Sequence, residues 1–255
     1  MAGVSAWTVS FDARPYVDVS SNFVNTTPTM SQPPNLINDD GIGSMATILL
    51  MSHHAFRRDI ARFIRAIQEI KAGDASRADV VRGEWEKSFR QALHGHHLME
   101  DAKIFPDIKS QHPELAVALD TLTEQHHKID PVLEKADAAF GDLAHPERAE
   151  AVLKELQALL DEHLAFEEAR ITSSLRDAKE FPAPADENMA AMYAQGFAWS
   201  MQGVAPEVLD AVRAFLPEIL LEKLPDAQSE FEARSERVWG TYAVGFATTS
   251  VPEEY

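Results

Sequence analysis

The sequence predicts an all-α fold built from two helical hairpins, and three observations predict it. Apolar residues recur at steps of three and four through residues 44–180, the period of helices with one buried face. The motif His96-x-x-x-Glu100, with Asp101 directly after it and Ile104 beyond, is echoed by His163-x-x-x-Glu167, with Glu168 directly after it and Ile171 beyond. Each copy is preceded by a histidine pair at the front of an apolar stripe, His53-His54 for the first and His126-His127 for the second.

Residues 1–43 lack a helical period and hold Pro15, Pro28, Pro33 and Pro34 among scattered aromatics such as Trp7, Phe11, Tyr16 and Phe23. They are expected to form an irregular arm packed along the surface of the helical hairpins. The first helix is expected from Ser44, after the Asp39-Asp40-Gly41 turn signal, to Gly73. Its stripe runs Met45, Leu49, Phe56, Ile60, Phe63, Ile67 and Ile70, and His53 fills the missing step between Leu49 and Phe56. His54 is turned about 100° away, and Arg57-Arg58 reads as solvated charge.

The second helix is expected over Arg77 to Phe105, with Trp85, Phe89, Leu93, His96, Glu100 and Ile104 on one face and Pro106 ending it. His94 and His97 fall off this face and read as surface or supporting histidines. Pro113 opens the third helix, whose stripe is Leu115, Leu119, Leu122, His126, Ile129, Leu133, Ala136 and Phe140. Pro146 opens the fourth, with Val152, Leu156, Leu159, His163, Glu167 and Ile171, reaching about Ala178. His112 and His145 stand directly before these prolines and are explained by the helix starts.

Residues 181–255 begin at a linker-like Phe181-Pro182-Ala183-Pro184 and contain no histidine. Helices are expected there over Glu187 to Gln202, rich in Met189, Met192, Tyr193, Phe197 and Trp199, from Pro206, and from Asp226 to Tyr242. They read as additional helices packed on the bundle, covering one end of it or offering a surface for homo-oligomers.

Spacing supplies the chemistry. Residues four apart share a helix face, so each His-x-x-x-Glu aims an imidazole and a carboxylate at one ion or at two adjacent ions. His53 precedes the first hairpin turn by about 20 residues and His96 follows it by about 20, which sets both at one height in antiparallel helices; His126 and His163 obey the same rule. No lysine or arginine interrupts the stripes to pair the two acids. Buried carboxylates without compensation are costly, and bound cations are the simplest compensation.

Composition narrows the options. The chain has no cysteine, so a metal must be held by histidines and carboxylates. A net charge of −18 disfavours nucleic acid and anionic membranes as partners. Neither a signal-peptide pattern nor a long apolar run is present, and a cytoplasmic location is the expectation.

In combination, a lone histidine on the first helix, His96-x-x-x-Glu100 closing in Ile104-Phe105-Pro106, a lone His126 with Ile129 three residues on, and His163-x-x-x-Glu167-Glu168 resemble the hemerythrin-like, or HHE cation-binding, proteins. The resemblance covers roughly residues 44–180. It implies an up-down-up-down four-helix bundle around two non-haem iron ions joined by an oxo or hydroxo bridge. It implies His53, His96, His126 and His163 as terminal nitrogen ligands and Glu100 and Glu167 as bridging carboxylates.

One position departs from the family. Oxygen-carrying hemerythrins have His-x-x-x-His on the third helix, whereas this chain has His126-x-x-x-Asp130. Asp130 is expected as a third carboxylate ligand, next to a kink at Pro131. A harder, more oxygen-rich cluster favours ferric iron and exchangeable ligands. The expected function is therefore reaction with, or sensing of, dioxygen, peroxide or nitric oxide, as an oxidase- or peroxidase-type diiron oxidoreductase or as a sensor. The alternative is reversible oxygen or iron storage without catalysis.

Overall fold

The computed structural model describes residues 37–178 and 180–240, which are helical without strands. The expectations for most of the N-terminal arm and for residues 241–255 lie outside the described residues. The first helix, α1 (Met45–Lys71), starts where the sequence places it. Ser44 caps it reciprocally: its hydroxyl accepts from the Thr47 backbone N–H, and the Ser44 backbone N–H donates to Thr47 Oγ1 at 2.9 Å. Two otherwise orphaned donors are satisfied this way, so Ser44→Ala is expected to cost about 1 kcal/mol in urea unfolding of the full chain.

The second rod is longer than expected and not uniformly α-helical. It comprises α2 (Ala78–Glu84), a π turn (Trp85–Phe89), α3 (Arg90–Met99), a second π turn (Glu100–Ile104) and α4 (Phe105–Gln111). Pro106 therefore does not end it. The Phe105 backbone N–H bonds to the Glu100 carbonyl, five residues back, and proline, lacking a donor, takes a place in the first turn of α4. A short 3₁₀ turn at Pro113–Leu115 then leads into α5 (Ala116–Gly141), and α6 (Pro146–Leu175) follows. Pro131 lies inside α5 without breaking it.

Side-chain pairs give the direction of each rod. Between α1 and the second rod, Phe63 meets Trp85 and His53 meets His96. Between that rod and α5, Trp85 donates to Asp137, Thr123 to Asp101 and Lys109 to Asp120. Lys135 reaches Glu155 and Gln125 reaches His163 across α5 and α6, while Lys71 reaches Glu150 and Arg57 reaches Glu168 across α1 and α6. In every pair one number rises as the other falls, so four antiparallel rods close into an up-down-up-down bundle.

The C-terminal part adds α7 (Glu187–Met201), α8 (Pro206–Phe215) and α9 (Glu218–Trp239). The last helix starts well before the expected Asp226 and carries Pro225 inside it. Phe181 is buried against Tyr193, Phe197 and Phe215, so the expected linker is itself an anchor.

Two large apolar cores result among the described residues, beside a small cluster of Ala194, Ala198, Ala227 and Phe231 between α7 and α9. One joins the N-terminal part of α1, α4 and the ends of α5 and α6 to α7, α8 and α9; the other fills the opposite half of the bundle around Phe63, Trp85, Phe89 and Phe140 and is closed by Trp239. A polar layer separates them.

A buried polar network fastens the C-terminal helices to α1. Arg58 and Arg62, 3% and 1% exposed, both donate to Asp59 Oδ1, whose other oxygen accepts the Trp199 indole N–H at 2.7 Å. Arg58 also donates to the carbonyls of Trp199 and Gln202, capping the C-terminus of α7. Arg57 is half-buried and ion-paired with Glu168. The reading of Arg57-Arg58 as solvated charge is thus corrected: α1 faces both the bundle and α7, so its arginine flank lies between two packed units.

Candidate metal centre

The layer between the two cores is made of histidines and glutamates. His53, His126, His163, Glu100 and Glu167 are 0–1% exposed, and the side chain of His96 is 14% exposed. Their positions follow from the helix period, since Ile60, Leu93, Leu122, Ile129, Leu160 and Ile171 above and below them are buried along the same faces.

Two groups of donors have ligand atoms within 4.8 Å of one another: His53, His96, Glu100 and Glu167 in one, and His97, His126 and His163 in the other. The two carboxylates connect them. Glu100 has Oε1 3.0 Å from His96 Nε2 and Oε2 3.4 Å from His126 Nε2. Glu167 has Oε2 3.3 Å from His53 Nε2 and 3.7 Å from His163 Nε2. Each acid therefore stands between one imidazole of the first group and one of the second.

None of these inward atoms has a hydrogen bond of acceptable geometry. His53, His96, His126 and His163 Nε2 and both carboxylate oxygens of Glu100 and Glu167 are buried without one. A buried polar group left this way costs about 1–3 kcal/mol, more when charged. So many meeting at one level fit a set of donors waiting for cations.

The outward nitrogens, by contrast, are held. His53 Nδ1 lies 2.9 Å from Glu168 Oε1, His126 Nδ1 2.9 Å from Asp101 Oδ2, and His163 Nδ1 3.1 Å from Gln125 Oε1. The acid directly after each inward glutamate thus orients a histidine of a neighbouring rod, which fixes the tautomer and leaves Nε2 free to bind. Asp101→Ala or Glu168→Ala is expected to weaken metal binding by about 10–100-fold in chelator competition while leaving the inward donors in place.

Electrostatics point the same way. Burial pulls His53 down, but Glu167 and Glu168 outweigh it and raise it to about 9; for His126 burial is likewise outweighed, by Asp101 and Glu100, and it rises to about 9. Burial and the neighbouring imidazoles lower His96 to about 3, and burial is the main cause that lowers His163 to about 4. Glu100 is pushed up by burial and by the charge of Glu167. Burial also acts upward on Glu167, but His53, His163 and His96 hold it low. The layer draws protons onto His53 and His126 to offset its acids, and cations binding there would displace them.

His53, His96, Glu100, His126, His163 and Glu167 are brought together as the sequence places them, and Asp130 is not. It is half-buried on α5 and belongs to neither group. An imidazole enters in its stead from the second rod: His97, 3% exposed, stacks on the His126 ring at 4.0 Å. The expectation that His97 lies off the buried face is corrected: it is buried within the second group. The buried face runs Val81, Trp85, Phe89, Leu93 and His97 at strict four-residue steps, then Glu100, Phe105 and Ile108, with the five-residue step crossing the second π turn. Repeated steps of four drift off a 3.6-residue helix and are absorbed where a π turn inserts a residue.

The sequence profile described as the hemerythrin HHE cation binding domain matches residues 44–174. No curated protein matches the chain, and no solved structure does.

Proposed function

The chain belongs to the hemerythrin HHE cation-binding family, and from that premise we propose that it holds two iron ions between Glu100 and Glu167 and reacts with or senses dioxygen, peroxide or nitric oxide. The observation that carries this reading is the pair of carboxylates, each lying between imidazoles of two donor groups. Two ions explain that arrangement better than one. Six donor residues exceed what a single tetrahedral zinc ion uses.

Two octahedral ions offer about twelve coordination positions, and four imidazoles with four carboxylate oxygens fill about eight. The remainder is left for a bridging oxygen and small exogenous ligands. Burial of the layer admits only small molecules, and bound iron would supply the exchange of electrons with them. Glu168, Asp101 and Gln125 hold the imidazoles in their binding tautomers, and residues 44–180 form the cation-holding unit, with 181–240 as an extension packed along α1.

The sensing form of this reading is favoured by one line of contacts. His96 touches Phe56 at a ring distance of 5.2 Å, and Phe56 touches Trp199 of α7 at 5.0 Å. A shift at the layer therefore has a packed route to the C-terminal helices.

The test mixes iron-loaded, reduced protein with dioxygen, peroxide and nitric oxide in stopped flow and compares limited proteolysis of the ferrous and ferric forms. An enzyme consumes peroxide or dioxygen over many turnovers with a small reductant; a sensor reacts once and changes its protease cleavage within residues 181–240. Dioxygen released intact over repeated cycles would establish storage in place of redox chemistry. No spectral response to any of the three would refute the reading.

A further inference from the structure

Five imidazoles stand at the layer, one more than the proposed function uses. His97 belongs to the second donor group, with a ring nitrogen within 4.8 Å of ligand nitrogens of His126 and His163. Its ring lies nearly parallel to His126, 4.0 Å away with an interplanar angle of 15°, and edge-on to His163 at 5.3 Å. Both of its ring nitrogens are buried and neither has a hydrogen-bond partner.

A histidine kept for packing alone would normally satisfy at least one nitrogen, as His53, His126 and His163 do through Nδ1. Its neighbours in sequence offer a contrast, since His94 and Leu98 are exposed on the same rod. Because adjacent residues differ by about 100° around a helix, His96 and His97 can serve different groups from one rod, and they do.

We propose that His97 is a direct ligand of the second cation, beside His126 and His163. This rests on the paired-cation reading above. The second rod thus contributes one imidazole to each cation and a carboxylate, Glu100, to both.

The test uses the full chain titrated anaerobically with cobalt(II), with metal per chain counted by mass spectrometry and affinities read by chelator competition. His97→Phe keeps a ring but removes its nitrogens, His97→Gln keeps polarity, and exposed His94→Ala is the control; circular dichroism verifies folding of each. Wild type and His94→Ala are expected to bind two ions. The His97 variants are expected to keep the first ion and to bind the second at least about 100-fold more weakly, beyond the 10–100-fold loss typical of supporting residues. Added imidazole is expected to restore the second ion in His97→Ala.

Proton magnetic resonance of the dicobalt wild type needs no variant. Five shifted ring N–H signals support the assignment, and four overturn it. Folded His97 variants that hold both ions at wild-type affinity overturn the role of His97 alone. Wild type that binds fewer than two ions overturns the paired-cation reading and this inference with it.

Discussion

Replacing Glu167 with glutamine is expected to weaken cation binding at both positions by at least about 100-fold, more than loss of the outer carboxylates does. The carboxylate faces His53 on one side and His163 on the other, and one of its oxygens lies 3.3 and 3.7 Å from their inward nitrogens. Glutamine keeps the volume and removes the charge that offsets a cation. The metal-free variant should therefore unfold in urea within about 1 kcal/mol of metal-free wild type, because a near-isosteric change leaves the surrounding packing intact. Chelator competition and metal-free unfolding, measured together, separate loss of ligation from loss of fold. Equal metal affinity in the variant would count against the bridging role.

The second large effect lies away from the metal. Asp59→Ala leaves Arg58, Arg62 and the Trp199 indole without their shared acceptor in a buried setting, and the expected cost is about 3–5 kcal/mol in urea unfolding. Burial pushes the Asp59 carboxyl up, but Arg58 and Arg62, with Trp199, outweigh it and hold it below the usual carboxylate range. A carboxyl depressed on folding contributes stability that is present above its unfolded value and lost as pH falls toward the folded one. The gap between wild type and Asp59→Ala should therefore be full near neutral pH and narrow below about pH 4. A gap under about 1 kcal/mol at pH 7, or one that widens in acid, would contradict this account of how α7 is fastened to α1.

The bundle is legible in the sequence because its faces are written at helical period, and Ser44, Pro113 and Pro146 mark element starts with local chemistry. The six inward donors are legible because His-x-x-x-Glu on two helices needs only the helix period to converge. His97 is hidden by the π turns, whose inserted residues shift a face that a uniform 3.6-residue reading assigns to His96 alone. The signal that points to it is the four-residue series from Val81 to His97. The expectation for Asp130 rests on analogy with the third helix of the oxygen carriers, and helix position alone does not bring it into either donor group. Arg58 reads as surface charge, with Arg57, because nothing in the sequence of α1 announces that Trp199 and Gln202, far along the chain, will cover it.

Anomalous diffraction at the iron edge, from crystals of the full chain loaded with iron, tests the central claim most directly. Two peaks are expected inside the bundle, about 3.5–4 Å apart, with Glu100 and Glu167 spanning them, His53 and His96 at one, and His126 and His163 at the other. A single peak, or iron bound only outside the layer while those imidazoles keep their inward nitrogens bare, would contradict it.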